Sequence, residues 1–104
     1  MENRQQEKLK TYLGFGIRAR KLVLGTGAIK ATRGTVYLLI ADRNASTNTK
    51  KEIEGLKRKF SCPIVEVDDL EGLTGKAFCK LAAMRDANLA QAVMKTLQTD
   101  ETDV

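Results

Sequence analysis

The sequence predicts an α/β fold, a small sheet sandwiched between helices on both sides. Three observations predict it. Short β-rich apolar runs, "LVL" (22–24), "VYLLIA" (36–41), "IVEV" (64–67) and "CKLAAM" (79–84), alternate with segments whose apolar residues recur at helical spacing. "VYLLIA" is continuously apolar, as in a central strand covered on both faces. At 104 residues the chain is long enough for one core and too short for two.

The elements follow in order. Residues 5–18 form a helix whose stripe is Leu9, Leu13 and Ile17, with Lys8, Lys10 and Arg18 off it. Gly14 and Gly16 each weaken that helix by about 1 kcal/mol relative to Ala, but small residues let another element approach closely. Strand 22–24 stops at Gly25, and 26–33 is a short helix. After strand 36–41 comes a loop, "DRNAST", in which Ser46 or Thr47 caps the next helix. That helix runs to about Phe60, with Ile53, Leu56 and Phe60 inward, and Cys62-Pro63 ends it because proline disfavours helical geometry in the residue before it. "DDLEGL" after strand 64–67 is a short helix or turn. Asp86 caps a last helix with the stripe Leu89, Val93 and Leu97, and the acidic tail 98–104 is frayed. Residues 1–97 are therefore expected to be one domain.

Charge narrows the function classes. The net charge is +5, but the last seven residues carry three acids and no base, so residues 1–97 hold +8. The first 33 residues alone have eight Lys/Arg against two acids. Such a body favours a polyanionic partner through counterion release. No run approaches the ~18 apolar residues of a membrane span, and the first eight residues lack a signal-peptide apolar stretch, so a cytoplasmic location is expected. Cys62 and Cys79 sit beside apolar residues without Cys-x-x-Cys spacing, as buried thiols do in a reducing compartment.

Catalytic and cofactor chemistry find no support. There is no histidine, the commonest general base and metal ligand, and two sulfurs alone cannot hold zinc. Gly25-Thr26-Gly27 starts like a dinucleotide fingerprint, but Lys30 occupies the place of its third glycine. "GLTGK" (72–76) has two residues between its glycines where a phosphate loop needs four, and Ala77 replaces the magnesium-binding hydroxyl. Ser46 and Ser61 have no activating base, and Asp68-Asp69 suit a helix start. No enzyme activity, cofactor or metal is expected. A binding surface remains: Gly25 allows close backbone approach, and Lys30 and Arg33, three apart, share one helical face.

Five segments in order, "RARKLVLGTGAIKA" (18–31), "LLIADRNASTNTKKEI" (38–53), "CPIVEV" (62–67), "LEGLTGK" (70–76) and "LAAMRDANLAQAV" (81–93), resemble the kink-turn-binding ribosomal-protein superfamily, the L-seven-Ae family. The nearest likeness is to its small bacterial YlxQ-like branch, over roughly residues 9–97. The resemblance implies a three-layer α/β/α sandwich with a four-stranded mixed sheet. It also implies structured RNA as partner, ribosomal or otherwise kink-turn-like, with ribosomal proteins nearby; the chain itself is expected to be a monomer. Its RNA-binding residues map to Gly25, Thr26, Gly27, Ala28 and Lys30, and to Leu73, Thr74, Gly75 and Lys76 with Ala77 alongside. Lys21 and Arg33 are expected to add electrostatic attachment. Tight kink-turn binders have a polar pair where this chain has Gly27-Ala28, and their lysine stands six residues after the glycine, not five. Weaker or altered specificity follows, and so does an alternative: a protein-interaction module on the same fold.

Overall fold

The computed structural model describes residues 3–102, with side chains from Arg4 to Gln98. Nine elements follow one another: α1 (Asn3–Arg18), β1 (Leu22–Leu24), α2 (Thr26–Lys30), β2 (Leu38–Asp42), α3 (Thr47–Phe60), β3 (Ile64–Val67), α4 (Leu70–Thr74), β4 (Leu81–Met84) and α5 (Ala87–Thr102). The strands make one mixed sheet in the order β1-β4-β2-β3. β4 is antiparallel to both its neighbours, and β2 and β3 are parallel.

Alternation along each strand feeds two cores. Leu38 and Ile40 of β2, Ala82 and Met84 of β4 and Val67 of β3 pack with Leu9, Leu13, Leu70, Leu73, Ala90 and Val93, from α1, α4 and α5. Leu39, Ala41, Leu81 and Ala83 face the other way, onto Ile29, Ile53 and Leu56 of α2 and α3. The result is the expected α/β/α sandwich around a four-stranded mixed sheet. β2 is buried at every position, as its apolar run requires. Among the described residues no helix is long and apolar enough to cross a membrane.

Helix ends show local chemistry at work. The Ser46 hydroxyl, not Thr47, caps α3 by accepting from the Thr49 amide at 3.2 Å. Ser61 closes α3 in the left-handed conformation, φ 49°, one residue before Cys62-Pro63. Asp86 accepts from the Leu89 amide at 2.9 Å and starts α5. That helix continues to Thr102, beyond the frayed end expected at Leu97, and the final two residues of the acidic tail lie outside the described residues.

Other boundaries also differ from expectation, and three of them have a local cause. α2 stops at Lys30 instead of 33, because the chain turns through Ala31 toward Gly34 at φ 95°. β2 begins at Leu38, two residues late: Val36 is buried, yet the half-exposed Tyr37 makes only an amide bond to the Met84 carbonyl, at 2.9 Å. β4 begins at Leu81 because Phe78, at φ 61°, and a Cys79-to-Lys76 main-chain bond of 3.3 Å form a turn where a strand was expected.

Two further features position the surface. Asp42, at the end of β2, is 3% exposed. Its carboxylate accepts from the Asn44 amide at 2.8 Å and from the Leu70 amide, the first of α4, at 3.1 Å. β3 is an edge strand. The Leu39 amide donates to Pro63 O and the Arg43 amide to Val67 O, so the intervening Ile64 and Glu66 main-chain groups face away from the sheet.

Gly16 and Gly14 make opposite demands. A Cβ on Gly16 would lie 3.1 Å from Leu22 Cβ and 3.2 Å from Met84 Cε, so this glycine lets α1 settle on the sheet, whereas a Cβ on Gly14 would meet only the tip of the Arg18 side chain, at 3.4 Å. Gly14→Ala is expected to raise the free energy of urea unfolding by up to about 1 kcal/mol, and Gly16→Ala to lower it by about 1 kcal/mol as overpacking outweighs the helix gain. A second outcome concerns pH. Burial pushes the Cys62 thiol above its ordinary pKa, against smaller lowering effects from nearby main-chain groups and Lys57. The native state therefore holds that proton longer than the unfolded chain, and stability declines as pH rises past about 8.5. Urea titrations at rising pH should show a shallower decline for Cys62→Ala than for the parent protein.

Candidate nucleic-acid interface

The sheet has two ends. At one, which we call the upper, β1 finishes, β4 starts and β2 delivers Asp42; at the other, the lower, β1 starts and β4 finishes. The expected binding residues divide between them.

At the upper end Gly25 takes φ 90°, a conformation that strains any residue with a Cβ. Its amide donates to Leu81 O at 2.9 Å, which binds the start of α2 to the start of β4. A Cβ placed on Gly25 would lie 3.9 Å from Lys76 Cε, so the lysine stem passes alongside the glycine. The two halves of the expected surface, the Gly25 turn and the loop after α4, are thus adjacent. Thr26 is half-buried, while Gly27 and Ala28 are exposed beside it.

That loop is held from within. Gly75, at φ 77°, closes α4 with its amide on Glu71 O at 2.8 Å. The Thr74 hydroxyl donates to Leu70 O at 2.8 Å and accepts from the Lys76 amide at 3.3 Å. Leu73 and Cys79 are buried on either side of the loop. Leu73 is accordingly core and is not available to pack on a ligand, a correction to its expected role. The exposed apolar group is instead Phe78, 87% exposed on its left-handed backbone. Sequence reasoning missed it. The available signal was an aromatic immediately after Gly75-Lys76-Ala77, preceding a cysteine that packs inward.

Lys30 points elsewhere. Its amine is paired with Glu52 of α3, and its carbonyl accepts from Lys59 Nζ at 2.8 Å. Lys21 and Arg33 lie at the lower end. The Lys21 carbonyl accepts from the Arg85 amide at 2.7 Å, and the Arg33 carbonyl from the Arg85 guanidinium at 3.2 Å. Neither joins the Gly25–Lys76 surface.

Two other upper-end cations are neutralised nearby. Arg43 pairs with Asp68, and Lys80 lies 3.8 Å from Asp42 and 3.9 Å from Glu71. Among the described residues Lys76 makes no ion pair, so its amine and the exposed Phe78 ring mark this face. A groove of about 950 Å³ exists, but it runs along the β3 edge, between α3 and α5. Gly25, Lys76 and Phe78 do not line that groove, and an open, donor-bearing surface suits a polymer more than an enclosed small molecule.

No family model matches this chain, and no curated protein is similar to it. Among solved structures, one described as "The structure of a protein with unknown function from Bacillus halodurans C" superposes with a TM-score of 0.70. It is 24% identical, over 88% of this chain and 97% of that one. The likeness is one of fold.

Proposed function

We propose that this chain is an RNA-binding protein, ribosomal or ribosome-associated and cytoplasmic. It holds bent, structured RNA of the kink-turn kind between the Gly25 turn and the Gly75–Phe78 loop. The observation that carries the reading is the union of Gly25 with Lys76, two residues before an exposed aromatic. Lys76 meets a phosphate, the Gly25 backbone allows the ribose-phosphate chain to come close, and Phe78 receives a nucleotide splayed out of the bend. The resemblance to kink-turn binders supports this assignment. Gly27 and Ala28 offer no side-chain hydrogen bonds to base edges, and Lys30 is already paired with Glu52. Shape and backbone contacts therefore carry more of the affinity than base readout does.

The same two observations favour a second reading, a protein-interaction module on this fold in which Phe78 anchors a protein partner. Pull-down from a nuclease-treated lysate separates them: partners that disappear with nuclease exclude it.

Titration of a kink-turn RNA and of a matched duplex without the bulge tests the first reading. The parent protein should favour the kink-turn. Phe78→Ala should weaken that binding about tenfold, within the 1–3 kcal/mol of a stacked base, and Lys76→Ala should weaken it on both RNAs. Equal binding of the two RNAs, unchanged in both variants, would overturn the assignment.

A further inference from the structure

The upper end uses little of the chain's positive charge. At the lower end α1 finishes with Arg18, the turn into β1 carries Arg20 and Lys21, the loop after α2 carries Arg33, and β4 gives way to Arg85. All five side chains are exposed. Main-chain bonds assemble them: the Lys21 amide donates to Gly16 O at 2.7 Å, and the Arg85 amide to Lys21 O at 2.7 Å. The Arg85 guanidinium then reaches the Arg33 carbonyl, at 3.2 Å. Among the described residues none of the five makes an ion pair. The neighbouring acid, Asp86, is occupied in capping α5. The upper end is the reverse, with Asp42, Asp68, Asp69 and Glu71 gathered where β2 and β3 finish.

Two aromatics belong to the same end. Phe15, 49% exposed, lies under the Arg18 guanidinium at 5.0 Å from its ring centre. Tyr37, 42% exposed, is fixed by its amide to Met84 O, one residue before Arg85. Arginine forks suit phosphate oxygens, and half-exposed rings suit unpaired bases, which stack without regard to sequence. The rings are separate and flanked by guanidinium groups, so they form no apolar patch of the kind that inserts into a bilayer.

We propose that the lower end is a second nucleic-acid contact, independent of the upper ledge. It takes single-stranded polynucleotide without sequence preference, with phosphates on Arg20, Lys21, Arg33 and Arg85 and bases against Phe15 and Tyr37. It stands whether or not the upper ledge grips folded RNA. Where both operate, one small domain bridges a folded element and an adjoining unpaired strand.

Fluorescence anisotropy of a labelled mixed-sequence 12-nucleotide RNA, titrated with the full chain over a range of salt concentrations, reads this contact. The double variant Arg20→Ala/Lys21→Ala should bind about tenfold more weakly at ~0.1 M salt, and its log K against log salt slope should be shallower by about 0.7 per cation removed. Removing the same charge from α3, by Lys50→Ala/Lys51→Ala, should change binding far less. Melting curves confirm that the variants fold. The chain lacks tryptophan, so tyrosine emission is readable, and its quenching by the oligonucleotide should be lost in Tyr37→Phe. Equal loss in the two double variants would reduce the effect to overall charge and overturn the proposal. So would an unchanged slope in Arg20→Ala/Lys21→Ala, or binding to phosphatidylserine vesicles in place of the oligonucleotide. Failure here leaves the kink-turn comparison and its Phe78 dependence untouched, so the two assignments fail separately.

Discussion

The Asp42 carboxylate is the constraint on which the upper surface depends. It is buried at the end of the central strand β2, and it accepts from two amides, those of Asn44 and Leu70. The first bond turns the chain toward α3; the second fixes where α4 begins. With α4 held there, Leu73 enters the core and Gly75 must reverse the chain, which leaves Lys76 beside Gly25 and Phe78 in solvent. A buried carboxylate without those donors would be costly, so the polar group and the geometry require each other. One side chain on a strand thereby sets the position of a loop more than thirty residues later.

The sandwich sorts charge as well as apolar surface. Both sheet faces are covered, so the strand ends and their loops are where ligands of any size can reach the backbone. The loops at one end combine acids with neutralised bases and leave Lys76 and Phe78; those at the other collect arginines and lysine around Arg85. On the proposed reading, affinity at the two ends rests on different physics. At the upper end shape and one stacked ring would dominate, and at the lower end electrostatics that salt weakens steeply.

Much of the fold was legible because it rests on short-range patterns. The unbroken apolar run announced a covered strand, and Ser46, Cys62-Pro63 and Asp86 announced their helix boundaries. The misplaced boundaries share a cause: burial without strand geometry. Val36 and Cys79 are as buried as strand residues, but Gly34 and Phe78, in left-handed conformations, turn the chain beside them. The site was legible where a glycine governs the backbone, at Gly25 and Gly75, and illegible where contacts are distant in sequence. Nothing near Lys30 reveals that Glu52, on another helix, will take its amine. Lys21 stands only four residues before Gly25, yet the three-residue strand β1, about 10 Å long, carries the two to opposite ends.

The outer rim of β3 has a consequence of its own. Its Ile64 and Glu66 main-chain groups are an open invitation to another extended chain, the usual route to unwanted self-association. The strand is only four residues long, and the exposed Glu66 puts a negative charge on it. Two copies approaching rim to rim would bring those carboxylates together with little ladder to gain. The molecule thus keeps this border from templating aggregates by brevity and like-charge repulsion.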